Sequence, residues 1–343
     1  MAGSTRNVRL LIAAAVAAGT ACAAAASFAA DGYSLTERFK GPDGGFDFIS
    51  FDPVRGRVYV SRTDGVTALD VATGTVTGRL APAQHSHAVL PLRDGSELLV
   101  TDAGTNSAHM VDAASGKLIA DIPTGQKPDG AAFDPASGLA LVMNGKSGDV
   151  TLIDPVQHKA VGSIAVGGAL ETPAPDGAGK VFITVEDQNR IAVIDTRARK
   201  LVGYYPLVGC EGPTGMAYAS GAGVLVAACA NKVAKVVRAA DGQETASLTI
   251  GSGPDQVGYD PNRQLVFIPC GRDGVMEVVS ARDPTKVAVI QIVSTQTSAR
   301  AAAVDPATGK VYLPAVRLTP AAAGGRPTPK PGTFEVLAVS PAR

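Results

Sequence analysis

The sequence predicts an all-β chain built from seven repeats and closed into a ring, on three observations. The first is composition. The 343 residues include Gly 39 and Pro 23, with short Val-, Ile- and Thr-rich runs between them, and no Trp. The second is a recurring phrase: an apolar stretch, a turn, then a β-branched run. It reads FISFDPVRGRVYVS, AAFDPASGLALVM, VGYDPNRQLVFIP and AAVDPATGKVYLP, with degenerate copies AVLPLRDGSELLVT, ETPAPDGAGKVFIT and GMAYASGAGVLVAA. The third is its period. A fixed position of the run falls on Tyr59, Leu99, Leu141, Phe182, Val226, Phe267 and Tyr312, at spacings of 40, 42, 41, 44, 41 and 45.

Seven units of this length match a four-stranded propeller blade. The phrase supplies the first two strands of each blade. The other two follow in VTALDVATGTVTGRL, AHMVDAASGKLIADI, VTLIDPVQHKAVGSI and IAVIDTRARKLVGYY, each a hairpin on an Asp-, Gly- or Lys-rich turn. Helical solenoids have similar periods, but Asp-Pro and Gly turns every ten residues exclude their helices. The last unit, from about residue 296, has only three strands, ending in GTFEVLAVS. YSLTERFK at residues 33–40 can supply the fourth and remove the exposed edge. The fold predicted is a seven-bladed β-propeller of four-stranded antiparallel blades, closed by the N-terminal strand joining the last blade.

Residues 1–30 stand apart. Arg6 and Arg9 precede the apolar run LLIAAAVAAGTACAAAASFAA, the order of a secretory signal peptide with cleavage after Ala29. Gly19 stands where a lipoprotein signal wants a branched aliphatic, against Cys22 as a lipidation site, and the run is weakly apolar for a retained anchor. The domain reading is signal peptide 1–30 and propeller 31–343, with a Pro-rich insertion at 317–333. Localisation is then periplasmic or secreted. Without residues 1–30 the chain carries 29 basic and 31 acidic residues. That balance offers no footprint for nucleic acid, and no later segment is long and apolar enough to span a bilayer. The absence of Trp counts against quinone-cofactor propellers, which dock their cofactor on one. A haem-attachment pattern, a phosphate loop, a dinucleotide fingerprint and a GxSxG elbow are all missing.

The repeats, with KVYLP, VYVS and VIDTRARKLVG, resemble the YVTN-repeat, YncE-like propellers of exported bacterial proteins. CEGPTGMAY followed by CANK, and TSARAAAVDPATGKVYLPA, are similar to stretches in that group, and the resemblance covers essentially the whole mature chain. It implies the fold. It does not imply one activity, since propellers of this shape bind proteins, sugars or metals and some are lactonases or lyases. Nucleic-acid binding has been linked to the branch, and the charge balance does not support it here.

Strand parity places a site. With strands A to D in each blade, the Asp-Pro turns are A-to-B and lie on one face. The B-to-C turns and D-to-A links share the other, where strand A begins at the inner edge. Twelve residues before each ruler position stand Asp47, His87, Asp129, Leu170, Thr214, Asp255 and Arg300. A one-residue slip in the fourth blade would replace Leu170 by Glu171, and Glu211 lies on the link before Thr214. The ligand-binding set is therefore Asp47, His87, Asp129, Glu171, Glu211, Thr214, Asp255 and Arg300. Asp47, His87, Asp129 and Asp255 form a candidate metal set suited to calcium or magnesium, less to zinc. Arg300 can clamp a carboxylate or phosphate. Polar residues at a water-filled channel mouth are also expected without any ligand. His85, two residues before His87, belongs to the link. His109 reads as a packing histidine in a strand and His158 as a solvated hairpin residue. Cys210 and Cys229 lie on one rim, 19 residues apart, and are expected to form a disulfide, with Cys270 unpaired. The leading functional reading is a monomeric exported propeller that binds a small polar ligand or a protein. The rival is a metal-assisted lactonase or lyase, in which a cation-bound water attacks a carbonyl.

Overall fold

The computed structural model describes Met1 and residues 32–319 and 327–342. The expected signal peptide, beyond Met1, and the centre of the 317–333 insertion lie outside the described residues. Seven four-stranded antiparallel sheets follow one another around a ring. Blade one consists of strands A (Phe46–Asp52), B (Arg57–Arg62), C (Gly65–Asp70) and D (Val76–Pro82). Blades two to six repeat the order over residues 86–123, 128–165, 170–206, 213–249 and 258–294. Blade seven takes strands A to C from Ala303–Val304, Val311–Ala315 and Glu335–Pro341. Its strand D is Tyr33–Lys40, paired from Tyr33↔Pro341 to Lys40↔Glu335, which is the expected closure.

Alternation along strands B and C sends apolar side chains to both faces of each blade, so every pair of neighbouring blades encloses a dry layer. Val60, Val58 and Tyr312 lie between blades seven and one, Tyr59, Leu98 and Val100 between one and two, and Leu141, Ile183 and Ile194 between three and four. Burial on both faces explains the near-continuous apolar runs that set the repeat.

The Asp-Pro turns have a local cause. Asp52 Oδ1 accepts hydrogen bonds from the Val54 and Arg55 amides at 2.9 and 3.2 Å. Asp134, Asp260 and Asp305 each accept from the amide two residues on. The carboxylate thus satisfies the turn's donors while proline presets the backbone. Asp134 does more, because its Oδ2 also accepts from the Thr196 hydroxyl of blade four at 2.6 Å, both residues being buried. Asp134→Ala is expected to lower the unfolding free energy by about 2 kcal/mol, and Asp305→Ala, which crosses to no other blade, by about 1. Urea midpoints check this; equal losses would contradict the inter-blade role. The C-to-D hairpins repeat the device with Asp112 and Gly116, whose φ is +69°. A Cβ on Gly116 would meet the Leu80 carbonyl oxygen at 1.7 Å, so no side chain fits there.

Cys210 and Cys229 form the expected disulfide, tying the link that enters blade five to the end of its strand B. Cys270 is unpaired and buried, with its thiol donating to Glu277 Oε2 at 3.0 Å. Burial, then the Glu277 charge, pushes its pKa far up, which leaves the thiol inert. His109 lies in a strand as expected, 3.5 Å from Asp121. His158 differs from expectation: rather than being solvated, it sits at φ +51° with Nε2 2.9 Å from Glu97 Oε2. That bond ties the blade-three hairpin to blade two.

Candidate functional site at the channel mouth

Register decides which residue of each strand A faces the axis. Ser50 pairs with Tyr59 in blade one, nine positions apart, but Ala174 pairs with Phe182 in blade four, eight apart. The A-to-B turn of blade four is one residue shorter, so its ring position is Glu171, and Leu170 is buried in the core. The ring is Asp47, His87, Asp129, Glu171 and Thr214 on strands A of blades one to five, with Asp255 and Arg300 on the links just before strand A of blades six and seven.

Hydroxyls reaching across blades hold this ring, and the sequence reading missed them. Ser61 on strand B of blade one donates to the His87 carbonyl at 2.6 Å. Thr101 on strand B of blade two (Glu97–Asp102) donates to the Asp129 carbonyl at 3.0 Å. Thr172 donates to the Thr214 carbonyl at 2.7 Å, and Thr214 to the Pro254 carbonyl at 3.1 Å. The signal was present in part: Ser61 and Thr101 stand two residues after the ruler position in their repeats, as does Thr184, whose hydroxyl lies 3.4 Å from the Thr214 carbonyl.

The ring side chains form a chain of alternating charge. Asp255 Oδ2 accepts from Arg300 Nε at 2.6 Å. Arg300 Nη2 bonds the Phe46 carbonyl at 2.9 Å and reaches Asp47 Oδ1 at 3.5 Å. Asp47 Oδ2 lies 2.6 Å from His87 Nδ1, which lies 3.6 Å from Asp129 Oδ1. Asp129 Oδ2 then meets Lys127 Nζ at 3.0 Å. Lys127 was not foreseen; it occupies the link just before the ring.

Low dielectric and unequal pairing shift these groups. Burial alone would lower the His87 pKa, but the Asp47 hydrogen bond and the charges of Asp129 and Asp47 outweigh it and raise it. Burial raises Asp129, against the pull of His87 and Lys127. Asp255 is pushed up to about 7 by burial and by Asp47, despite Arg300. Glu171 has no ion pair among the described residues, and burial with the Asp129 charge pushes it to about 10. Burial at the mouth thus opposes the ionisation of Asp129, Glu171 and Asp255.

Of the candidate metal set, Asp47, His87 and Asp129 come together, with ligand atoms all within 4.8 Å. Asp255 stands outside that cluster, held by Arg300. Glu211 is exposed on its link and does not line the cavity described next. His85 is exposed, its ring centroid 4.8 Å from that of His87. With His87 protonated the chain of charges balances. With it neutral, the three donors carry an excess of negative charge that suits a divalent cation.

A cavity of about 790 Å³ opens beside Arg300. Its charged lining residues are Asp255, Arg272 and Arg300, with the hydroxyls of Thr214, Thr297, Ser298 and Thr319 beside them. Phe46, Pro254, Val316, Leu318, Pro327 and Pro329 supply an apolar wall. The last three belong to the blade-seven insertion, whose short ribbon Leu318–Thr319 with Thr328–Pro329 stands at the mouth. The volume is in the range of small-molecule sites.

No known family's sequence profile matches the chain, and no curated protein matches it in sequence. Solved structures match it in shape. A hydrazine synthase chain of Kuenenia stuttgartiensis aligns with TM-score 0.69 and 17% identity, over 78% of this chain and 92% of that one. A chain of a mitotic checkpoint complex aligns at 0.72 and 14%, over 96% and 98%. The protein U3-55K aligns at 0.73 and 11%, over 92% and 99%. At these identities the likeness is one of fold: the chain is a seven-bladed β-propeller, an architecture that commonly serves ligand or protein binding.

Proposed function

We propose that the chain is an exported, YncE-like propeller that binds a small polar ligand at the channel mouth formed by the D-to-A links and B-to-C turns. The repeat phrases and the charged-then-apolar N-terminus support export and the family. The Cys210–Cys229 bond is compatible with an oxidising compartment. The observation that carries the binding reading is the convergence of seven polar ring residues from seven blades beside a ligand-sized cavity. Two of them, Glu171 and Asp255, are half-buried acids whose ionisation their surroundings oppose. Perturbed carboxyls cluster at functional sites, and Asp255 lines the cavity itself, which supports the reading.

A thermal-shift panel of small polar metabolites tests this. A binder is expected to raise the melting temperature saturably in the native chain and not in Thr297→Trp, which fills the mouth from an exposed lining position. Equal shifts in both proteins would place binding elsewhere, and no shift from any compound would count against the reading.

One observation favours a second reading. The Asp47, His87 and Asp129 donors can hold a calcium or magnesium ion, which would polarise a bound carbonyl as a lactonase or lyase requires. Elemental analysis of chain purified without chelator is the check. A stoichiometric metal lost in His87→Ala and Asp129→Ala supports it, and metal-free chain that added calcium or magnesium does not stabilise rejects it.

A further inference from the structure

We propose that the ligand taken at this mouth is an organic anion: a carboxylate, sulfonate or phosphate group carried on an apolar body. The inference rests on the binding reading above and names the ligand's class. Two guanidinium groups carry it. Arg272 lines the cavity from the B-to-C turn of blade six and is exposed. Among the described residues its side chain makes no ion pair or hydrogen bond. The neighbouring Asp273 makes no ion pair with it; that carboxylate accepts from the Ser252 amide at 2.8 Å. Arg300 commits Nε to Asp255 and Nη2 to the Phe46 carbonyl and Asp47, which leaves its Nη1 edge without a partner among the described residues.

The lining therefore presents two guanidiniums and one carboxylate, Asp255; Arg300 is held by Asp255 and lies 3.5 Å from Asp47, whereas Arg272 has no counter-ion among the described residues. A cationic ligand would meet two guanidiniums, and a neutral one would leave Arg272 unanswered. An anionic head satisfies the free donors by charge-assisted hydrogen bonds, which guanidinium makes well with planar or tetrahedral oxyanions. Phe46, Pro254 and Leu318 form an apolar wall beside these charges. The wall gives the rest of the molecule a surface to leave water on, and the cavity of about 790 Å³ has room for a body of two or three rings.

Two fluorescent probes of one skeleton test the proposal on the full chain. 8-Anilinonaphthalene-1-sulfonate carries the anion; N-phenyl-1-naphthylamine lacks it. The sulfonate is expected to bind saturably, about tenfold more tightly than the neutral probe. Arg272→Ala should bring it to within about twofold of the neutral probe, and Arg272→Lys should recover part of the difference. Equal binding of the two probes, competing for one site, overturns the anion proposal and leaves the cavity as a binding site. Binding of neither, in a chain with a normal melting transition, overturns both readings. A sulfonate preference that persists in both Arg272→Ala and Arg300→Lys overturns the assignment to these guanidiniums.

Discussion

Replacing Glu171 by Gln is expected to stabilise the folded chain at pH 7 by up to roughly 3 kcal/mol. The side chain ionises near 4.5 when exposed and near 10 in the ring. At pH 7 the unfolded chain carries it charged and the folded chain must hold a proton on it, and Gln removes that penalty. The sign follows from the direction of the shift. A folded-state pKa above the unfolded value means the native state binds more protons, so stability falls as pH rises from about 4.5 towards 10. Asp255, raised from 3.8 to about 7, and His87 and Asp129, also raised, act in the same direction. Wild type is therefore expected to be more stable at pH 5 than at pH 8, and Glu171→Gln to show a shallower decline. Urea midpoints at pH 5, 7 and 9 measure both. A variant no more stable than wild type at pH 8 would show that Glu171 is not held neutral by the fold.

Loss of the Cys210–Cys229 bond should have a comparable effect of opposite sign. Its 19-residue separation gives about 3 kcal/mol on the chain-entropy estimate. The bond anchors the link that delivers Thr214 to the ring, so its loss also loosens one wall of the mouth. The double variant Cys210→Ala, Cys229→Ala is expected to unfold at a lower urea concentration than wild type. A reductant should bring wild type down to the variant and leave the variant unchanged. Indifference of wild type to reductant, with both cysteines alkylated before reduction, would contradict the bond.

The fold was legible because its cause is periodic. Dry layers between blades require apolar runs every 40 to 45 residues, and the Asp-led turns carry their own hydrogen-bonding logic in the sequence. Ring membership was legible to one residue per blade. The slip allowed for in the fourth blade, Glu171 in place of Leu170, follows from a turn one residue shorter, which shifts strand register without disturbing the repeat. Less legible was what the ring residues do to one another. Equal spacing suggested four equivalent metal donors, yet Arg300 takes Asp255 and leaves Asp47, His87 and Asp129 as the cluster. Lys127 and Arg272 lie off the ruler, on links and turns whose path the repeat does not dictate. Their contributions depend on three-dimensional proximity between blades.

The most direct test of a ligand site at this mouth is a crystal structure of the chain with 8-anilinonaphthalene-1-sulfonate bound. The account predicts the naphthalene ring against Phe46 and Pro254, and the sulfonate on Arg272 and the Nη1 edge of Arg300. Probe density confined to the opposite face, among the Asp-led A-to-B turns, would contradict it.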